Sequence, residues 1–310
     1  MATPQHAVSH EEIRLSETVR PGSLARGLFA LARPRQWTKN VLVFAVPAAA
    51  GELWNAQVLA LTAVAFLSFC LAASGTYYLN DVCDVEADRL HPHKRLRPVA
   101  SGAVPLGLAR ILGPALLAGS VALAAVAASL QLAAVLATYV ALMLGYSTRL
   151  KRVPVLEMAI VASGFVFRAV AGGVATGIPI SQWFLLVISF ASLFVVVGKR
   201  FAEYTSLGEN SIEHRQCLGE YSLAFLRYLG TISSAVAIVA YCLWASGRLT
   251  RGTLWFQLSI VPFVLGMLYY ALQSEKGQAG APEEVFLTDR TLQLIGVVWM
   301  ALFLVGVYVS

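Results

Sequence analysis

Residues 57–88 read QVLALTAVAFLSFCLAASGTYYLNDVCDVEAD, an apolar run of membrane-spanning length that ends in a cluster of carboxylates. An α-helix needs about 20 apolar residues to cross the hydrocarbon core of a bilayer. The run lacks the apolar–polar alternation that a strand of a membrane β-barrel requires. This stretch therefore predicts a transmembrane helix with acidic side chains at one end.

The same pattern recurs along the whole chain. Hydrophobic residues make up 58% of the 310 residues and charged residues only 13%, against about 25% charged in an average soluble domain. The apolar runs predict nine spans, at 36–54, 57–80, 105–128, 129–147, 154–177, 181–207, 222–246, 252–273 and 290–309. The first is the weakest, because its apolar run is short and contains Pro47. We predict an all-α integral membrane protein with nine transmembrane helices.

The basic residues orient these spans. With a cytosolic N-terminus, 20 of the 23 Lys and Arg residues fall in inside segments or the adjoining ends of spans, Arg248 and Arg251 fall in outside loops, and Arg168 lies deeper within a span. Cytoplasmic loops of membrane proteins are enriched in Lys and Arg. We therefore predict a cytosolic N-terminus, an outside C-terminus and chemistry on the cytosolic face. This enrichment also accounts for the net charge of +6, so we expect no nucleic-acid partner.

The chain is predicted to have a tail and one membrane domain. The N-terminal residues are polar and lack the apolar segment of a signal peptide, so residues 1–27 are expected to be a flexible cytosolic tail. Residues 28–310 are predicted to form a single nine-helix membrane domain. The four cysteines lack the close spacing of zinc ligands and predict buried thiols.

The carboxylates after the second span point to a metal site. At about 100° per residue, Asp81, Asp84 and Asp88 fall on one helix face with Asn80 at its edge, whereas Glu86 points away. Carboxylates that cluster beside lipid repel one another, and a cation removes this conflict. Mg²⁺ held by carboxylates together with substrate phosphates is the expected arrangement. A solvated helix end is the alternative, which three aligned aspartates disfavour.

Four further clusters carry side chains that suit phosphate oxygens. They lie at the predicted cytosolic ends of spans and comprise Lys39 and Asn40; Lys94, Arg95 and Arg97; Tyr146, Lys151 and Arg152; and Lys199, Arg200 and Glu203. For each cluster a positive-inside anchor or a helix-end ion pair is the alternative. Arg168 differs, because a charge within a span indicates either a functional site or a structural partner to a carbonyl.

The pattern Asn-Asp-x-x-Asp-x-x-x-Asp over residues 80–88, at the end of the second of nine spans, resembles the UbiA superfamily of intramembrane prenyltransferases. The resemblance covers about residues 25–310 and implies a UbiA-type helical bundle with a cytosol-facing active site. It implies that Asp81, Asp84 and Asp88 are the catalytic, Mg²⁺-binding carboxylates and that Asn80 contacts a diphosphate. Tyr146 with Lys151-Arg152 looks like the family's loop after the fourth helix.

One departure from the family's pattern indicates a branch. Typical members carry a second aspartate-rich motif on the sixth helix, where this sequence has Lys199, Arg200 and Glu203. Together with RPRQWTKN at 33–40 and LKRVP at 150–154, this resembles the phosphoribosyl-transferring branch of the superfamily. That branch implies transfer of 5-phosphoribosyl from phosphoribosyl pyrophosphate to a polyprenyl (decaprenyl) phosphate, with release of pyrophosphate. It also implies cell-wall arabinan (arabinogalactan) synthesis at a bacterial plasma membrane.

The implied reaction brings three anionic groups to one metal site and several cations. On this resemblance the substrate-binding residues are Lys39, Asn40, Asn80, Lys94, Arg95, Arg97, Tyr146, Lys151, Arg152, Arg168, Lys199, Arg200 and Glu203. Two alternatives stay open. One is an ordinary UbiA-type prenyltransferase that uses prenyl diphosphate and an aromatic acceptor, and the other is a transporter, whose charges belong near the bilayer midplane. Membrane phospholipids are the expected surroundings, and small residues such as Gly172 permit close packing and a homo-oligomer.

Overall fold

The computed structural model describes residues 24–92, 94–207, 216–247, 251–280, 285–286 and 288–309, and the regular elements in these ranges are helical. The α-helices are α1 Leu24–Leu31, α2 Ala45–Ala49, α3 Ala56–Cys83, α4 Val85–Leu90, α5 Leu106–Ala127, α6 Leu130–Thr148, α7 Leu156–Thr176, α8 Gln182–Leu207, α9 Leu223–Ser246, α10 Thr253–Glu275 and α11 Arg290–Val309. The 3₁₀ helices are Pro34–Phe44, Glu52–Trp54, Lys94–Leu96, Leu150–Arg152, Gln216–Glu220 and Gln278–Gly280.

Eight helices within the described ranges are long and apolar enough to cross a membrane, namely α3 and α5 to α11. Each one coincides with a predicted span to within three residues at either end. Their apolar runs determine this outcome, because a helix satisfies its own backbone hydrogen bonds where lipid supplies none. The prediction of an all-helical membrane protein is confirmed.

The first predicted span, 36–54, is not one continuous α-helix. Residues Pro34–Phe44 form a 3₁₀ helix, and only the five residues of α2 follow in α-helical form. Pro47 contributes to the break, because it has no N–H to donate to the carbonyl of Val43 four residues earlier. The part of the chain described by the structure thus has eight helices of spanning length and one broken apolar segment.

The N-terminal boundary also differs from the prediction. Helix α1 begins at Leu24, so the predicted tail boundary at residue 27 falls inside a helix. The other predicted tail residues, 1–23, lie outside the described residues. After α1 the chain turns at Arg33, whose φ of 50° is uncommon for a residue with a side chain.

The chain divides into two compact units. The first runs to Arg35 and includes Ala73–Leu116, and the second comprises Gln36–Ala72 and the chain from Leu117 onward. In the first unit, α1 packs closely on the loop before α5, since a Cβ on Gly27 would lie 3.0 Å from Val104 Cγ2. The buried core of this unit is formed by Leu31, Tyr78, Val85, Val99, Val104 and Ala109.

The second unit packs α6, α7, α8 and α9 in sequence and places α10 between α9 and α11. Serine side chains fix the starts of two of these helices. Ser129 Oγ accepts the Leu132 N–H and Ser222 Oγ accepts the Phe225 N–H, both at 3.1 Å. These N-caps satisfy donors that a helix start leaves without a partner. The broad apolar faces that remain exposed on these helices match lipid contact.

Candidate active site

The acidic cluster at the end of α3 consists of two buried carboxylates held by two arginines, all in the first unit. Asp81 Oδ1 accepts a hydrogen bond from Arg33 Nη2 at 2.8 Å and lies 3.6 Å from Arg97 Nη1. Asp88 Oδ2 accepts from the same Arg97 Nη1 at 2.7 Å. The Asp81 and Asp88 side chains are only 1% and 4% exposed. Because both carboxylates contact one nitrogen atom, they converge on a single place.

The backbone keeps the two carboxylates on one face. Helix α3 ends at Cys83 and α4 begins at Val85, with Asp84 between them. The Asp84 N–H still donates to the Asn80 carbonyl at 2.9 Å, and the Asp88 N–H donates to the Asp84 carbonyl at 2.8 Å. The helical path therefore continues through the interruption, and residues seven positions apart face the same way. Asn80 and Asp84 are half-buried beside this face.

Two side-chain hydrogen bonds bring Arg33 to Asp81. The Tyr78 hydroxyl donates to the Leu28 carbonyl at 2.8 Å, and the Ser74 hydroxyl donates to the Ala32 carbonyl at 3.1 Å. Both donors lie on α3 and both acceptors belong to α1 or the residue after it. These two bonds fix the C-terminal end of α1 to α3, at positions one to two helical turns before Asp81.

The donor set fits a divalent cation. Asp81 Oδ2 is buried and has no hydrogen-bond partner, a state that is costly for a carboxylate oxygen. Carboxylate oxygens are the ligands that Mg²⁺ prefers. Within the described ranges, no three His, Cys, Asp or Glu side chains stand together as a ready metal site. The cluster therefore offers two convergent carboxylates, one with an unused oxygen, and Asp84 next to them in the chain.

Further basic side chains follow on the same loop. Lys94 and Arg95 lie in the 3₁₀ helix Lys94–Leu96 and are exposed. Arg97, directly after this helix, is 28% exposed and contacts both buried aspartates. Of the three predicted phosphate-binding residues in this loop, the structure brings Arg97 to the carboxylates and leaves the other two at the surface.

The predicted cationic cluster on the sixth span is an ion-pair cluster in the second unit. Arg200 is 2% exposed, and its Nε and Nη2 donate to the two carboxylate oxygens of Glu157 at 2.8 Å each. Its Nη1 donates to Glu203 Oε2 at 2.8 Å. Two carboxylates thus engage Arg200, as in the helix-end ion pair given as the alternative for this cluster, and a contact of Arg200 with a substrate phosphate stays a prediction. One of these two carboxylates, Glu157, belongs to α7. The spacing of residues along α8 alone does not reveal this partner.

The remaining predicted residues of the second unit lie at or near the surface. Lys199 and Tyr146 are half-buried, whereas Lys151 and Arg152 are exposed on the 3₁₀ helix Leu150–Arg152. Lys39, on the 3₁₀ helix Pro34–Phe44, is half-buried. Their predicted contacts with substrate stay predictions.

A strained turn follows the Leu150–Arg152 helix. Val155 has a φ of 65°, which is strongly disfavoured for a β-branched side chain. Its N–H donates to the Tyr221 hydroxyl at 2.8 Å. Burial raises the pKa of Tyr221 to about 12, so this hydroxyl stays neutral near pH 7. The hydrogen bond stabilises the turn that leads into α7.

Arg168 lies inside the second unit among neutral partners. Its Nε donates to Asn40 Oδ1 at 2.6 Å, its Nη1 to the Gly164 carbonyl at 2.5 Å and its Nη2 to the Tyr139 hydroxyl at 3.1 Å. The guanidinium carbon also lies 5.5 Å from the ring centroid of Phe69. No carboxylate in the described ranges forms an ion pair with Arg168. The structure therefore joins two predicted residues, Asn40 and Arg168, in one buried network.

Three residues of these clusters were not among the predicted site residues: Arg33, Glu157 and Tyr139. Arg33 belongs to the basic stretch 33–40 that the sequence already marks. Glu157 is a charge within the predicted span 154–177, but the sequence does not reveal its partner, which lies 43 positions away. Tyr139 carries no such signal, and its partner lies 29 positions away.

Eight apolar helices of spanning length within the described ranges, with arginine-held aspartates at the end of one of them, define a multi-pass membrane protein. Residues 41–297 match the model of the UbiA prenyltransferase family, and the chain belongs to that family. The resemblance seen in the sequence is thereby confirmed.

Curated relatives cover nearly the whole chain. The chain is 43% identical over 295 residues to the decaprenyl-phosphate phosphoribosyltransferase of Corynebacterium glutamicum, covering 93% of this chain and 89% of that protein. It is 44% identical over 289 residues to the protein of the same name from Mycobacterium tuberculosis, covering 91% and 94%. A UbiA homolog from Archaeoglobus fulgidus, solved bound to DMAPP and Mg²⁺, has the same fold with a TM-score of 0.67 at 18% identity, covering 91% and 99%.

Proposed function

We propose that this protein transfers the 5-phosphoribosyl group from phosphoribosyl pyrophosphate to a polyprenyl phosphate, decaprenyl phosphate in the first instance, and releases pyrophosphate. The observation that carries the proposal is the identity of 43% or 44%, over 91% to 94% of this chain, with proteins named decaprenyl-phosphate phosphoribosyltransferase. The basic and mixed clusters agree with it, because this reaction handles more phosphate groups than prenyl transfer to an aromatic acceptor does.

Asp81, Asp84 and Asp88 are the residues that we propose to hold Mg²⁺. The ion, when bound, would neutralise charge on the pyrophosphate leaving group. The partnerless Oδ2 of Asp81 supports this role. Asn80, half-buried one residue before Asp81, is proposed to donate its side-chain amide to the same diphosphate.

Arg33 and Arg97 are proposed to bind the pyrophosphate oxygens. Guanidinium forks form charge-assisted hydrogen bonds with carboxylates and phosphates alike. In the structure Asp81 holds the guanidinium group of Arg33 and Asp88 holds that of Arg97. Both guanidinium groups are therefore already oriented at the place where the carboxylates converge. Exposed Lys94 and Arg95 are proposed to attract the anionic donor from the cytosol.

The bond changes need little proton transfer. An oxygen of the lipid phosphate attacks the anomeric carbon of the donor, and the bond from that carbon to the pyrophosphate oxygen breaks. A phosphate monoester is largely ionised near pH 7, since its second pKa is about 6. The protein therefore needs to orient the acceptor and stabilise charge on the leaving group, and no strong general base is required.

Side chains of the second unit are proposed to bind the remaining phosphates, namely Lys39, Tyr146, Lys151, Arg152 and Lys199. We expect Arg200 to position Glu203 and Glu157 rather than to contact phosphate, because both carboxylates already engage it.

We further propose nine spans with the broken segment 34–49 as the first, a single membrane domain, a cytosolic N-terminus and a plasma-membrane location with the active site on the cytosolic face. The product would serve cell-wall arabinan synthesis.

The test is a product assay with purified protein, Mg²⁺, decaprenyl phosphate and labelled phosphoribosyl pyrophosphate. We expect a labelled lipid that forms only with a divalent cation and is absent in the Asp81→Asn variant. Prenyl diphosphate with an aromatic acceptor is the parallel arm. A prenylated product there, with none from phosphoribosyl pyrophosphate, would refute the proposal in favour of ordinary prenyl transfer. Solute uptake by reconstituted protein without any covalent product would indicate a transporter.

A further inference from the structure

One face of α7 holds the 3₁₀ helix Pro34–Phe44 at two points one helical turn apart. Arg168 Nε donates to Asn40 Oδ1 at 2.6 Å. Four residues later, the backbone of Gly172 lies against the Val43 carbonyl, since a Cβ on this glycine would stand 1.9 Å from the Val43 oxygen. Residues four apart lie on the same helix face. The two contacts therefore form one seam, here called the α7 seam, between α7 and this 3₁₀ helix.

The Arg168 contact depends on the shape of the guanidinium as well as on its charge. The same side chain reaches the Gly164 carbonyl and the Tyr139 hydroxyl, so its planar fork joins α6, α7 and the 3₁₀ helix. Asn40 is fully buried and donates its Nδ2 to Cys70 Sγ at 3.3 Å, which adds α3 to the network. A lysine would keep the charge but lacks this fork.

The 3₁₀ helix is unusual enough to need such support. It has 11 residues, whereas runs beyond about 3–4 residues are uncommon because the i→i+3 hydrogen bonds have poorer geometry. Pro47 also cannot donate to the Val43 carbonyl as an ordinary residue in an α-helix would. Gly172 is the residue that lets α7 approach this carbonyl.

We propose that Arg168 and Gly172 are positioning residues for the reaction. They hold the 3₁₀ helix on the α7 seam so that Lys39, which directly precedes the anchored Asn40, places its ammonium on a substrate phosphate. This inference rests on the proposed function. It gives Arg168 a role through Asn40 instead of a direct contact with substrate, and it explains a buried cation whose partners are all neutral.

The structure sets the size of the expected effect. Ordinary contact begins near 3.4 Å, so an alanine at position 172 requires the two backbones to separate by about 1.5 Å. A misplacement of about 1 Å remote from the chemistry can cost about 100-fold in rate. We therefore expect Gly172→Ala and Arg168→Lys each to lower kcat/KM about 100-fold.

The experiment is a double-mutant cycle on kcat and KM for both substrates, with melting temperatures recorded for every variant. The single variants are Gly172→Ala, Arg168→Lys and Lys39→Met, and the double variant combines Arg168→Lys with Lys39→Met. If Arg168 acts through Lys39, the double variant is no slower than the slower single variant. The matched control is Gly119→Ala on α5, where an added Cβ meets nothing within 4 Å, and we expect it to stay within about twofold of wild type.

Three results would overturn the inference: effects of Arg168→Lys and Lys39→Met that multiply, wild-type activity in Lys39→Met, or a Gly172→Ala variant as active as Gly119→Ala. Should Arg168→Lys fail to fold, Asn40→Ala removes the same tie and completes the cycle with Lys39→Met. Absence of turnover in the wild-type protein would instead refute the proposed function. Turnover in wild type with independent effects in the variants would refute only the positioning role.

Discussion

The buried pair of Arg200 and Glu157 yields a sharp prediction about stability. Their side chains are 3% and 1% exposed and share two parallel hydrogen bonds of 2.8 Å. Removing one partner of such a pair takes away the main compensation for the other buried charge, which costs about 3–5 kcal/mol. We expect Arg200→Met, which keeps an apolar side chain of similar length, to lose this amount of unfolding free energy.

The magnitude rests on Glu157 rather than on Glu203. The Glu203 side chain is 21% exposed, so water can solvate its carboxylate after Arg200 is removed, and we expect that loss to add at most about 1 kcal/mol. Glu157 has no such access to water. Adding Glu157→Gln to Arg200→Met removes the buried negative charge that has lost its Arg200 partner, so we expect the double variant to be more stable than Arg200→Met alone.

The assay is reversible unfolding in detergent micelles, followed by circular dichroism, with denaturant midpoints and slopes compared. The control is Arg227→Met. Arg227 and Glu275 have the same bidentate geometry, at 3.0 Å for both bonds, but are 58% and 47% exposed. We expect no measurable loss there, because exposed ion pairs contribute little. Equal losses in Arg200→Met and Arg227→Met would refute the reasoning from burial. A fully stable Arg200→Met with no turnover would return Arg200 to the substrate site.

Four further predictions follow from the structure. Asp81→Asn should abolish product formation while keeping the melting temperature within a few degrees, and near-normal turnover would contradict the metal assignment. Mg²⁺ and phosphoribosyl pyrophosphate should each raise the affinity for the other, as measured by calorimetry, and independent binding would contradict this. Ser129→Ala should cost about 1 kcal/mol by loss of the α6 N-cap, with Ser129→Asp as the capping control. Tyr221→Phe should cost about 1 kcal/mol, because the Val155 N–H loses its acceptor; an unchanged unfolding midpoint would show that water replaces the hydroxyl.

The eight long helices could be predicted from the sequence because each is determined by its own run of apolar residues. A run of about 20 apolar residues in lipid has to be helical, and its ends follow from where polarity returns. The segment 36–54 does not follow this rule, since its apolar run is short and Pro47 interrupts it. Its 3₁₀ helix also contacts Arg168 and Gly172, which lie more than 120 residues away in the sequence.

In the candidate site, too, some features follow from the local sequence and others from contacts between distant segments. Asp81 and Asp88 share a face because their spacing matches the helical repeat, and this was visible in the sequence. Their partner Arg33 depends on hydrogen bonds that anchor α1 to α3, and the partner Glu157 of Arg200 depends on the packing of α7 on α8. Lys199 and Arg200 indicate positive charge at this end of α8. The net charge of the cluster also depends on Glu157, which the packing of α7 on α8 brings to Arg200.

Charge balance in the first unit explains why metal and donor should bind together. Asp81 and Asp88 carry two negative charges, and Arg33 and Arg97 carry two positive charges, so the paired cluster is neutral. A divalent cation alone would meet two guanidinium groups, and a diphosphate alone would meet two buried carboxylates. When both bind, the carboxylates can turn to the cation and the guanidinium groups to the phosphate oxygens, and each repulsion is relieved by the other ligand. Because coupling between two ligands is reciprocal, the donor should strengthen Mg²⁺ binding by the same factor by which Mg²⁺ strengthens donor binding.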